Sequence, residues 1–207
     1  MAHFAGKLAL IGPEYPDGQC FRNFQVSISQ VESEVKGLYK LGDVSAKAQG
    51  GTTLTGMERI KDRAFKKLKI QAAMTGANIV YITQLNSAGA QTGYWSSKAA
   101  ETSLSGVAYS NILPDKFGFE KLISGKKRFS CREKIMLYSN AKDASETPFK
   151  GNFDLSNVVV DGKLFFVVGQ LNKGKETKYR VIRFDEDSFT IVYEDKNTLY
   201  NYVLAAN

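Results

Sequence analysis

Lys67-Leu68-Lys69-Ile70-Gln71-Ala72-Ala73-Met74-Thr75-Gly76-Ala77-Asn78-Ile79-Val80-Tyr81-Ile82 carries an amphipathic helix straight into an apolar strand. Upstream, Met57, Ile60, Ala64, Leu68 and Ala72 recur at three- and four-residue spacing, flanked by Phe65, and form one buried stripe. Thr55-Gly56-Met57-Glu58 reads as a capping box, in which the Thr55 hydroxyl accepts from the amide three residues on and Glu58 reaches back. Asp62 and Lys66 stand four apart, the spacing of a favourable pair on one helix face. Gly76 ends the helix, because the chain must reverse through positive φ there. Asn78 to Leu85 is apolar on both faces at its centre, which predicts a central strand.

Working outward, residues 21–33 alternate at Phe24, Val26 and Ile28, the period of a half-buried strand. Val35 to Ala48 reads as a second extended stretch, closed by a turn at Gly50-Gly51. Residues 86–103 are rich in Ser, Ala, Gly and Thr around Tyr94-Trp95 and read as a long loop. Leu104 to Asn111 returns as a strand whose small residues imply close approach by the helix or by a partner. Beyond Pro114 the period is two. Phe117–Leu122 and Arg128–Tyr138 flank Ser124-Gly125 as a hairpin, and Ala141–Asn152 reads as an exposed linker. Short strands then follow at turn spacing, at Val158–Val160, Lys163–Leu171, Thr177–Phe184, Phe189–Tyr193 and Leu199–Leu204. The expected class is therefore α+β: a region 1–111 with one main helix, then a mostly antiparallel β region 112–207 forming a small barrel or sandwich.

Gly42-Asp43-Val44-Ser45, then Gly50-Gly51, then the helix running through Ala72-Ala73-Met74-Thr75-Gly76-Ala77-Asn78-Ile79-Val80, resembles the small βαββ domain of RcsF-type envelope-stress lipoproteins and YbjQ-type proteins. Leu104-Ser105-Gly106-Val107-Ala108-Tyr109 is similar to that family's last strand. The resemblance covers about residues 35–111. It implies a βαββ fold and a non-enzymatic bacterial envelope protein, periplasmic or outer-membrane-associated, that senses, binds or assembles through protein contacts. Three departures stand beside it, one being that residues 115–207 add a β region the family does not require. The stretch 35–111 contains no cysteine, whereas the family's sensors carry several that pair, and no ligand set supports a metal.

The 207 residues carry 28 basic and 21 acidic side chains, a net charge of +7. The excess is local: residues 55–111 and 112–150 each carry +4, whereas 151–207 is slightly acidic. Arg59, Arg63, Lys66 and Lys67 fall at helical spacing on one face, a solvated surface or a site for anionic lipid or an envelope polymer; nucleic acid is disfavoured. Tyr94 and Trp95 are candidate partner anchors. With His3 the sole histidine and Cys20 and Cys131 the sole thiols, one chain holds too few N and S ligands for a closed zinc site. Those two cysteines form either one disulfide or two inert thiols. Gly169-Gln170-Leu171-Asn172-Lys173-Gly174-Lys175-Glu176 mimics a phosphate-binding loop but ends on Glu and is followed by strand residues, so it reads as a hairpin turn. No catalytic residue, metal or cofactor is assigned. No run of about 18 apolar residues is present, nor a signal-type apolar core, so the chain is cytosolic or a mature fragment. Binding or assembly through a protein partner or self-association is the expected role; the alternative is an SH3-like β module binding a peptide or nucleic acid, fused to an oligomerising βαββ domain.

Overall fold

The structure is a computed structural model that describes residues 25–51, 55–92, 97–139, 141 and 143–206. It is a mixed α+β protein, rich in strands, whose described residues form two α-helices and mainly antiparallel pairings. Strands β1 (Ser27–Ser29), β2 (Tyr39–Gln49), β3 (Ile79–Ala88) and β6 (Glu101–Ser110) form a four-stranded sheet in the order β1-β3-β6-β2. Only β1 and β3 run parallel; β6 pairs antiparallel with both β3 and β2. Helix α1 (Met57–Met74) lies between β2 and β3 in the chain.

The stripe expected from spacing is the face α1 turns to this sheet. Ala64, Leu68, Ala72 and Ala73 pack on Val44, Ala46, Val80, Leu104 and Ala108. The small residues on both sides let helix and sheet approach closely, as the composition of β6 predicts. At the helix end, Ala77 N donates to Ala72 O (3.0 Å) and Gly76 N to Ala73 O (2.8 Å), and Gly76 takes φ +80. That is a Schellman closure, which satisfies carbonyls the helix would otherwise leave bare. Asn78 continues into β3 and braces the far strand, its Oδ1 accepting from Asn111 N (3.3 Å) and its amide donating to Asn111 Oδ1.

Strands β7 (Arg128–Tyr138), β8 (Ser145–Asp161), β9 (Leu164–Leu171), β10 (Thr177–Phe184), β11 (Ser188–Asp195) and β12 (Thr198–Ala205) form a closed antiparallel barrel. Each pairs with its chain neighbour, and β12 returns to β7. Closure removes the open edges of this region. Of barrel or sandwich, the chain adopts the barrel. The mimic of a phosphate-binding loop is the β9–β10 turn, strand to strand, with no helix to present amides to a phosphate.

Six expectations are corrected. Phe117–Leu122 is not a strand: α2 (Lys116–Ile123) is a helix, capped by Asp115, whose carboxylate accepts from Gly118 N (2.7 Å) and Phe117 N (3.4 Å). Its residues Phe119 and Ile123, four apart, close one end of the barrel. Phe119 meets Phe165, Phe184 and Phe189 at 5.1–5.8 Å between ring centroids. The linker expected at 141–152 is largely the first half of β8, a 17-residue strand, because its backbone pairs with β7 from Met136 to Cys131 whatever its polar side chains. The loop at 86–103 is mostly ladder: β3 and β6 pair out to Ala88 and Glu101, and β4 (Gln91–Thr92) and β5 (Ser97–Lys98) form a short arm beyond. Within 21–33 the described strand is only Ser27–Ser29, followed by a 3-10 turn at Glu32–Val35. Helix α1 starts at Met57 with Gly56 as N-cap, one residue later than the box predicts, and Lys66 pairs with Asp143 across space instead of with Asp62.

Sheet and barrel do not stand apart. A third cluster joins them: Met74 and Ile70 of α1 pack on Ile135, Leu137, Ile182, Val192, Leu199 and Val203, which line the outside of the barrel wall. Helix α1 is thus covered on two sides. Arg180 of β10 clasps the junction, its guanidinium donating to Leu41 O (2.8 Å) and Thr75 O (2.7 Å). Thr75 O belongs to the C-terminal end of α1, where the helix dipole favours a cation, and Leu41 O lies at a bulge in β2.

Candidate functional site

The four basic residues expected on one face of α1 part company. Arg59 and Arg63 are exposed on its first turns. Lys66 is exposed too, but its ammonium pairs with Asp143 of the β7–β8 loop. Lys67 is only 6% exposed, and its Nζ donates to the carbonyl of Ser139 at the end of β7. Lys67, Ile70 and Met74 fall at three- and four-residue spacing, so the barrel that covers the apolar pair also covers the lysine. Among the described residues no carboxylate pairs with Lys67. Burial without an anion disfavours the charged form and pushes the Lys67 ammonium below its usual range.

Lys67 lines a cleft of about 400 Å³ between the sheet edge and the far end of the barrel. Such a volume is within the range of small-ligand sites. One wall is β2 and β6, with Ser45, Lys47, Ser103 and Ser105; the other is Tyr138, Ser139, Glu194 and Asn197 of the barrel. The register partners Leu137 and Leu199 add the apolar contribution. Gln71, one turn after Lys67, accepts from Ser45 N (3.1 Å) through Oε1. In an antiparallel ladder alternate residues point both backbone groups the same way, so the Ser45 bond shows that Ser45 and Lys47 face away from β6. Among the described residues β2 pairs with β6 alone, and the cleft runs along its other edge. Lys47 Nζ is paired with Glu101 at 2.7 Å, and Glu194 is exposed at the rim.

A second concavity, about 340 Å³, lies where Leu38, Tyr39 and Lys40 meet Asp161, Lys163 and Leu164. Its charges are already engaged: Lys163 sits 5.0 Å over the Tyr39 ring, and Asp161 accepts from Lys178 at 3.1 Å. At the barrel end away from α2, Lys134 lies over the rings of Tyr200, Phe149 and Tyr202 at 4.8–6.0 Å. That places an internal cation where an aromatic box would hold an external one.

Tyr94, Trp95 and Cys20 lie outside the described residues, as does His3. Cys131 is a free thiol inside the barrel, 4% exposed, donating to Glu133 O (3.4 Å). Burial pushes it up to about 11, so it is a weak nucleophile. Among the described residues no three His, Cys, Asp or Glu side chains cluster as metal ligands, and no helix is long and apolar enough to cross a membrane. Sequence reasoning singled out Lys67 for the wrong surface and missed Gln71, Ser139 and the β2 edge, which come together only when the barrel docks on α1. Comparison with family models, with curated proteins and with solved structures finds no match.

Proposed function

We propose that this chain is a non-enzymatic binding protein of bacterial envelope type that takes an extended segment of a protein partner along the outer edge of β2. The observation that carries the reading is the edge itself: eleven residues turned outward at Ser45, whose N–H Gln71 already holds, and at Lys47, above a cleft floored by a buried lysine. A strand edge offers main-chain hydrogen bonds for affinity, and a cleft beside it offers side-chain selection. The chain order of β2, α1, β3 and β6 supports a βαββ domain, and the envelope assignment rests on the sequence resemblance alone.

The test is selection of random eight-residue peptides on the wild-type protein, followed by titration against Lys47→Pro. Proline there deletes one outward N–H without touching the ladder to β6, a substitution that edge strands tolerate. Selected peptides are expected to lose roughly tenfold or more in affinity for the variant. Failure to enrich any peptide, or equal binding by both proteins, would overturn the reading. Fractionation of the source cells tests the envelope assignment, which a purely cytosolic signal refutes.

A further inference from the structure

We infer that the cleft floored by Lys67 is a carboxylate-binding site, which on the reading above receives the C-terminal carboxylate of the partner segment. Lys67 is buried at 6% exposure, lines a cleft of about 400 Å³, and among the described residues has the Ser139 carbonyl as its one polar partner. An ammonium brings three donors, so two remain for a ligand in the cleft. A cation with little access to solvent and no anion among the described residues is costly, and a carboxylate hydrogen-bonded to it removes much of that cost. The lowered proton affinity of Lys67 has the same origin in burial.

The charge balance of the walls selects the class of anion. Lys47 is neutralised by Glu101, and Glu194 is an exposed rim group screened by solvent. Among the described residues one buried positive charge therefore stays uncompensated, which matches a monoanion and not a doubly charged phosphate. Asn197 of the β11–β12 turn lines the same space and offers neutral hydrogen-bonding groups, whereas the Ser103 and Ser105 side chains, alternating with Leu104, lie on the sheet face away from α1. The outward Lys47 N–H lies on the path by which a strand laid on β2 would bring its last residue to Lys67.

The site is tested by following backbone amide resonances of Ser45, Lys47, Lys67, Ser105 and Leu137 in the full chain. Four probes are titrated: N-acetyl-trialanine with a free carboxylate, the same peptide amidated, sodium propionate and inorganic phosphate. Saturable shifts with the free peptide, and weaker ones with propionate, are expected; the amidated peptide should leave the cleft unmoved. Lys67→Met, close in length and apolar, should weaken the free peptide roughly tenfold. Because a buried position is changed, Lys67→Arg supplies a second variant that keeps the charge, and it should weaken binding by a smaller factor. Equal binding of free and amidated peptide, tighter binding of inorganic phosphate than of propionate, or no shift in the cleft would each overturn the assignment. The two proposals fail separately. Propionate binding without any selected peptide leaves the carboxylate site and removes the strand reading. Peptide binding indifferent to amidation and to Lys67→Met does the reverse.

Discussion

Asn201 is fully buried, and neither its amide nitrogen nor its oxygen has a hydrogen-bond partner among the described residues. It lies on the outer face of β12, between Leu199 and Val203, with Ile135 and Val192 as its ladder partners. All four belong to the cluster against which α1 packs, so the amide sits in apolar surroundings. An unsatisfied buried amide costs about 1–3 kcal/mol on protein mutational scales. Leucine shares the branched four-heavy-atom outline of asparagine but is bulkier, and it removes that cost while adding apolar burial. Asn201→Leu is therefore expected to stabilise the fold by about 1–3 kcal/mol, less whatever strain the larger side chain brings. For a chain of this size that is a rise in Tm of roughly 2–4 °C per kcal/mol. Asn201→Asp should act in the opposite direction, since it places a carboxylate in the same unpartnered setting. Guanidinium denaturation gives both numbers, read as midpoint shifts at constant slope. A loss of about 1 kcal/mol or more in the leucine variant, together with tolerance of aspartate, would refute the reasoning, for it would mean that the position is hydrated.

Arg180→Met removes both bonds of the clasp and strands the carbonyls of Leu41 and Thr75; urea denaturation should show a loss of about 2–4 kcal/mol, and Arg180→Lys should restore less than half. Gly76→Ala forces a side chain into φ +80, with its Cβ 3.1 Å from Ile182 Cβ, whereas Gly162→Ala at φ +62 meets nothing. Both should cost the ~1–2 kcal/mol of a left-handed residue, and an equal loss in the two variants would deny the tight contact of helix and barrel. Because the folded chain holds the Cys131 thiol near 11 against 9.0 in the open chain, the unfolded state releases that proton first, and the thiol's contribution to stability should fall as pH rises from 9 to 11. Lys67 works with the opposite sign below pH 10.5, so the Cys131 effect is read as wild type minus Cys131→Ala across that range. Identical profiles for the two proteins would place the thiol in water.

The helix that decides the first half of the fold was legible because its evidence is local: apolar spacing along α1 and a glycine where the backbone must reverse. The barrel strands were legible for the same reason wherever they alternate, as at Phe165, Val167 and Gly169, all inward on β9. Helix α2 escaped because Phe117-Gly118-Phe119 alternates like a strand, and the deciding interaction is the Asp115 cap. The first half of β8 escaped because it is polar, and its extended state is set by β7 beside it. Lys67 shows the limit most directly. From spacing it joins Arg63 and Lys66 on a solvated face, and only the arrival of Ser139, a residue 72 positions later, makes it a buried cation.

That distance in sequence has an energetic consequence for how the two halves depend on each other. Helix α1 presents Leu68 and Ala72 to the sheet and Ile70 and Met74 to the barrel, so neither layer alone covers it. Removing the barrel would expose Met74, fully buried at present, together with Ile70, and would leave the Lys67 ammonium and the last carbonyls of α1 without Ser139 O and Arg180. Those losses are apolar and polar at once, and both fall on a single helix. The cleft shares this origin. Its lysine comes from α1, its free edge from β2, its far wall from the β7 end and the β11–β12 turn, so it exists only where the layers meet. A change that loosens the junction, at Arg180 or Gly76, should therefore weaken binding in the cleft even though neither residue lines it.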